Sequence, residues 1–323
     1  MKAIVYHRYG SPDVLEIEEI DKPSPQDDEV LVRLRAASLN MGEWHALTGL
    51  FVARPQLGLL KPKNPRLGVD FAGVVEAIGR NVKEFRPGDE VFGGRNGAFA
   101  EYVCVREDRA VVRKPSNVSF EQAAAVPVGA ITALQGLRDQ GQLQPGQKVL
   151  INGASGGVGT FAVQIAKILG GAVTAVCSTR NVDMAHSLGA DHVVDYTRDD
   201  FTRSGRRYDL VLDIAGSRPW SEYRRVLEPE ATFVLVGAMK TNRWLGPLSH
   251  VIRIRLASLR ASQKMIFFIA KFNKPDMLLL QELLETGQLN PFVEQTYPLR
   301  EIPEAMRYLG TGHARGKLVI SME

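Results

Sequence analysis

The hydrophobic pattern changes character partway along the chain. Over residues 1–115 the apolar runs are short: KAIVY, VLEIEEI, EVLVRLRAASL, FAGVVEAIG, DEVFGG, AEYVCV and AVVRKP, punctuated by Gly, Pro and Asp. Such runs, rich in Val and Ile and bounded by turn residues, predict a twisted antiparallel or barrel-like β domain. Near Ser119 the text becomes helical. SFEQAAAVPVGAITALQGLRDQGQL reads as one or two helices interrupted at Pro127 and Gly129. Beyond it, apolar strands (KVLING, AVTAVCS, HVVDY, DLVLDIAG, ATFVLVGA) alternate with helical stretches such as VGTFAVQIAKILG and NVDMAHSLG. Near-continuous apolar strands alternating with helices predict an α/β fold whose parallel sheet is buried on both faces. DMLLLQELLETGQL and REIPEAMRYLGTG read as further helices, and GKLVISM as a closing strand.

Within this pattern one turn carries chemistry. KVLINGASGGVGTFAVQIAK sets Gly153, Gly156, Gly157 and Gly159, with Ser155 and Val158 between them, after an apolar strand and ahead of an amphipathic helix. Glycines there let the backbone approach a pyrophosphate and let helix and strand pack closely. The helix N-terminus adds N–H donors and the positive end of its dipole. Placed inside a βαβ unit, the run predicts a dinucleotide site rather than an ordinary tight turn. About 20 residues further on, such folds put an acid on the adenosine ribose. Here the stretch is V-C-S-T-R-N. Ser178, Thr179 and Arg180 offer two hydroxyl donors and a planar cationic fork, a set suited to a 2′-phosphate, so NADPH is the expected cofactor.

Composition narrows the class. The chain has 323 residues, a length that predicts two domains. A hydrophobic share of 45% and a net charge of +4 are ordinary for a soluble protein, and nucleic acid is not an expected partner. The only cysteines, Cys104 and Cys177, make neither a disulfide framework nor a zinc spacing, which favours a reducing, cytoplasmic setting.

The run GG-V-G-TFAV-Q-IA-K after PGQKVLINGAS resembles the quinone oxidoreductase/zeta-crystallin branch of the medium-chain dehydrogenase/reductase superfamily. So do MKAIVYHRYGSPDVLEIEE, GVDFAGVVEAIG, VPVGAITALQGL, LGADHVVDY and HARGKLVI, so the likeness spans essentially the whole chain. It implies a GroES-like, β-rich catalytic domain built from both chain ends (1–122 and 265–323) around a Rossmann-type, doubly wound nucleotide domain (123–264). The catalytic-zinc positions of metal-dependent relatives match Asn40, Val69 and Val128, and the lobe with four clustered cysteines is missing. Valine cannot ligate zinc, so no metal is expected.

The resemblance also carries site positions. Tyr196 would flank the 2′-phosphate. Asn40 and Thr132 would lie at the nicotinamide end, Ala215-Gly216 and Val236-Gly237 would end two Rossmann strands, and Lys317 would be a closing contact. Trp44 and His45, next to Asn40, would face substrate. His45 matches a proton-relay position, and Asn40 and His45 are the tentative catalytic residues, although a packed or surface histidine is the commoner case. Asp70 matches an acidic position beside the metal of relatives and is expected to be structural.

The resulting expectation is a zinc-independent NADPH oxidoreductase that passes hydride to a quinone or to the β-carbon of an enone or enal. Two other readings stay open: a zinc-free alcohol or carbonyl reductase, and a non-catalytic NADPH-binding protein of zeta-crystallin type. A homodimer through sheet edges is expected by resemblance. Residues 240–274 hold basic residues and no acid. Arg253, Arg260, Lys264 and Lys271, at spacings of 7, 4 and 7, would stripe one face of a continuous helix over 243–271 that could touch a membrane surface. MIFFIAK reads equally as a strand, and return to the catalytic domain through that strand is the preferred reading.

Overall fold

The computed structural model describes the chain except residues 52–53, 238–246, 260 and 323, and residues 247 and 248 by backbone only. The chain separates into two compact units. One runs from Met1 to Ile131 and resumes at Phe272; the other is Thr132–Lys271 with a short stretch beginning at Leu50.

The first unit is built on a seven-stranded sheet. Its order is Val293–Pro298, Lys317–Ser321, Glu29–Ser38, Asp70–Ile78, Glu90–Gly94 and Val111–Arg113, and Tyr102–Arg106 also pairs with Glu29–Ser38. All pairs are antiparallel except Val293–Pro298 with Lys317–Ser321. The last strand in sequence is therefore interior to the sheet. Alternation explains the local burial: in Glu29–Ser38, Val30, Val32 and Leu34 pack with Phe71, Val75 and Val91 in one cluster. Across the pairing, Ser38 stands opposite both Val319 and Asp70. Directly paired residues share a sheet face, and Lys317, two before Val319, points the same way. That register gathers the polar cluster described below.

The second unit is a six-stranded parallel sheet in the order His192–Asp195, Ala172–Cys177, Lys148–Asn152, Tyr208–Asp213, Leu227–Leu235, Lys264–Phe267. Its central strands have apolar middles, with Val149, Leu150, Ile151, Val211 and Leu212 fully buried, as a sheet covered on both faces requires. Strand order reverses between Lys148–Asn152 and Tyr208–Asp213, the switch point where such sheets bind ligands.

Two expectations are revised. The helix Pro247–Ser258 stops short, and Lys264–Phe267 is a strand, so no continuous helical stripe joins Arg253 to Lys271; Arg260 lies outside the described residues. That strand also does not lead into the first unit's sheet. It pairs in parallel with Leu227–Leu235, Thr232 opposite Lys264 and Leu235 opposite Phe267. No helix among the described residues is long and apolar enough to cross a membrane.

Candidate active site

The glycine turn follows Lys148–Asn152 directly. Gly153 takes φ +91°, a backbone that favours glycine, and its N–H and that of Ala154 both donate to the Val176 carbonyl. A Cβ on Gly159 would lie 2.1 Å from the Gly153 carbonyl oxygen, so the helix Gly159–Ile168 packs against its own approach turn. Gly156 differs. A Cβ there meets nothing nearer than the Gly153 oxygen at 3.7 Å, leaving open space over the start of the helix. Ser155, Gly156, Gly157 and Val158 line that space half-buried. Open backbone at a helix N-terminus fits a pyrophosphate.

Below the turn, Asp213 links three strand ends. Its Oδ1 accepts from Asn152 Nδ2 (2.8 Å) and from Gly216 N (2.9 Å), and its own carbonyl accepts from Val236 N (2.9 Å). The Asn152 carbonyl accepts from Ile214 N and Ala215 N. Thus the predicted cofactor positions Ala215-Gly216 and Val236-Gly237 are tied to Asp213 and to its partner Asn152, the residue before Gly153. Burial pushes that carboxyl up to about 6, against the hydrogen bonds that favour its charged form. Sequence reasoning missed this hub because its members are 61 residues apart. Thr132, on the helix Pro127–Leu134, is buried.

Along the same edge of the parallel sheet, after Ala172–Cys177, the structure alters one role. The carboxylate of Asp195 reaches the V-C-S-T-R-N turn from the neighbouring strand, where Asp195 pairs with Cys177. Thr179 Oγ1 donates to Asp195 Oδ2 and lies 2.8 Å from Thr197 Oγ1, so the hydroxyl expected to donate to a phosphate is already engaged. Ser178 Oγ accepts from Asn181 Nδ2 at 3.1 Å, which leaves its own proton to donate. Arg180 and Tyr196 are exposed, as groups offered to a surface phosphate would be.

In the first unit, Asn40, Lys317 and Asp70 meet. Lys317 Nζ donates to Asn40 Oδ1 and, at 3.1 Å, to Asp70 Oδ2; the two charged side chains are 2% and 0% exposed. Asp70 also accepts from Ser38 Oγ (2.9 Å), Asn40 Nδ2 (3.0 Å) and Val128 N (2.9 Å). Asn40 heads the helix Met41–Leu47, and Glu43 closes a capping box by accepting from Asn40 N at 2.8 Å. Glu43 is 4% exposed, and burial, reinforced by the Asp70 charge and opposed by Lys317, pushes its carboxyl up to about 7. The Asn-x-x-Glu spacing at a helix start was the available signal for Glu43.

Of the positions that match zinc ligands in metal-dependent relatives, Asn40 therefore meets the Lys317 ammonium directly, and Val128 reaches the same cluster through its N–H bond to Asp70. Asn40 spends its carbonyl on Lys317 and its amide on Asp70, so it stands as part of a fixed cluster rather than a free donor. Lys317, expected as a closing contact, holds its ammonium inside this cluster. Trp44 packs its ring against Gly310, where a Cβ would come within 2.3 Å of it. His45 is half-buried one residue on.

Two family models match the chain: an alcohol dehydrogenase GroES-like domain over residues 26–116 and a zinc-binding dehydrogenase over residues 188–320. The chain is 34% identical to a chloroplastic quinone-oxidoreductase, QR1, of Triphysaria versicolor, over 99% of this chain and 98% of that one. It is 31% identical to a chloroplastic NADPH-dependent alkenal/one oxidoreductase of Arabidopsis thaliana, over 99% and 79% respectively. Among solved structures, the quinone oxidoreductase from Coxiella burnetii superposes with a TM-score of 0.86 at 29% identity, covering 100% of this chain and 99% of that one.

Proposed function

The chain belongs to the quinone oxidoreductase/zeta-crystallin branch of the medium-chain dehydrogenase/reductase superfamily, and we propose that it is a zinc-independent, NADPH-dependent reductase of quinones or α,β-unsaturated carbonyls. The observation that carries this reading is the pairing of an open glycine turn with a catalytic-domain cluster whose cation is an ammonium. When bound, the reduced nicotinamide supplies a hydride. The chain's part is to hold it: Gly153–Gly159 take the pyrophosphate, Ala215-Gly216 and Val236-Gly237 the strand-end portion, and Ser178, Arg180 and Tyr196 the 2′-phosphate. Val69 and Val128 offer no metal ligand, so the acceptor must tolerate reduction without a Lewis acid. Quinones and enones do, because the negative charge formed on hydride addition delocalises into the acceptor itself. Positioning then supplies most of the acceleration, and water is the proton source this reading favours.

The same proposal includes a homodimer joined at a sheet edge. It is supported by Lys264–Phe267, which among the described residues is an edge strand, and by Phe267 and Ile269 exposed on and beside it.

The cofactor half is tested by charge reversal. Arg180→Glu should raise the KM for NADPH about tenfold or more, measured by nucleotide oxidation with a quinone and with an enal as acceptors. An unchanged KM would contradict the assignment.

A further inference from the structure

The adenosine end holds a group that opposes the choice of NADPH. Asp195 is absent from the V-C-S-T-R-N stretch in sequence, yet parallel pairing with Cys177 sets it beside that stretch, and Tyr196 N donates to the Cys177 carbonyl at 3.0 Å to fix the register. Its side chain is 11% exposed and is held on every side. Oδ2 takes the Thr179 hydroxyl and faces Arg198 Nε at 3.5 Å; Oδ1 takes Thr197 N at 3.0 Å and the Thr197 hydroxyl at 2.7 Å. These hydrogen bonds, the one from Thr179 foremost, hold the carboxyl below its ordinary range, so it is charged at neutral pH.

We infer that Asp195 is a specificity-determining residue for the cofactor, one that weakens the preference for NADPH and admits NADH. The inference rests on the NADPH reading above and goes beyond it. Thr179 has a single hydroxyl proton, and it is donated to Asp195 Oδ2, so Thr179 would have to give up that bond to donate to a phosphate. A fixed negative charge one hydrogen bond away repels a 2′-phosphate, while its lone pairs can accept from a 2′-hydroxyl. Arg180 and Ser178 pull the other way. The two sets are separate residues, so the balance can be shifted without dismantling the site.

The test is direct binding of NADPH and NADH to the intact protein, followed by fluorescence, with kcat/KM for each nucleotide alongside. Asp195→Asn should raise the NADPH:NADH ratio about five- to tenfold, mostly through tighter NADPH, and the gain should shrink as ionic strength rises. Asp195→Ser, which removes the charge with a smaller polar side chain, is the second variant should the amide disturb the turn. Asp199→Asn removes the same formal charge from the same exposed stretch and should leave the ratio where it was. A ratio unmoved by both Asp195 variants, or moved equally by Asp199→Asn, overturns this inference alone. A wild-type protein that binds neither nucleotide overturns the cofactor reading beneath it.

Discussion

Glu43 is a buried acid whose proton the fold favours. Its carboxyl stands at about 7 in the folded chain against an ordinary 4.5. Between those two values the unfolded chain loses the proton while the folded chain keeps it. The stabilisation from holding Glu43 neutral is therefore complete below about pH 4.5 and is lost as pH rises through about 7. Glu43→Gln keeps the capping box and removes the titration. Relative to wild type it should gain on the order of 2 kcal/mol between pH 5 and pH 8, read as the difference in denaturation midpoints. Asp213, pushed up to about 6, works in the same direction but has finished titrating by pH 8, and it is common to both proteins. A difference that stays flat, or reverses, would contradict the burial and partners given to Glu43. None of this cluster is legible as a group in the sequence: Asn40 and Lys317 are separated by 277 residues, and only sheet register brings them together. What the sequence does show is each member's type at a family position, so Asn40, Asp70 and Lys317 are legible singly and their mutual bonds are not.

At the scale of elements, the glycine turn separates folding from binding. Gly159→Ala drives a Cβ into backbone at 2.1 Å and should destabilise the protein by at least about 2 kcal/mol. Gly156→Ala has room in the chain itself and should leave the thermal midpoint nearly unchanged. It would still intrude on a bound pyrophosphate, so NADPH affinity, measured by fluorescence titration, should fall about tenfold or more. Equal affinity in Gly156→Ala and wild type would remove the pyrophosphate from this turn. This element was legible because strand, glycines and helix are contiguous in the chain. MIFFIAK was not, since a short apolar run satisfies both periodicities. The strand there is decided by pairing with Leu227–Leu235, which no local pattern reports. Thr179 shows the same limit at a functional position: its type suggested a donor, and the neighbouring strand brought the carboxylate that takes its proton.

At the scale of the whole molecule, each unit contributes something different to the proposed chemistry. The parallel sheet supplies strand ends tied together through Asp213, where the proposal seats the nucleotide. The other sheet, which includes Lys317–Ser321, supplies a buried cluster held together by the Lys317 ammonium. Together they describe a reductase that relies on holding its cofactor and on an acceptor able to carry its own charge. The most direct measurement is label transfer: chelator-treated protein, NADPH deuterated at C4, and an enone acceptor, with the product's β-carbon examined by mass spectrometry and NMR. Deuterium at that carbon, formed at the rate seen without chelator, is the predicted result. Absence of label from the product, or activity that returns only when zinc is added, would contradict the account.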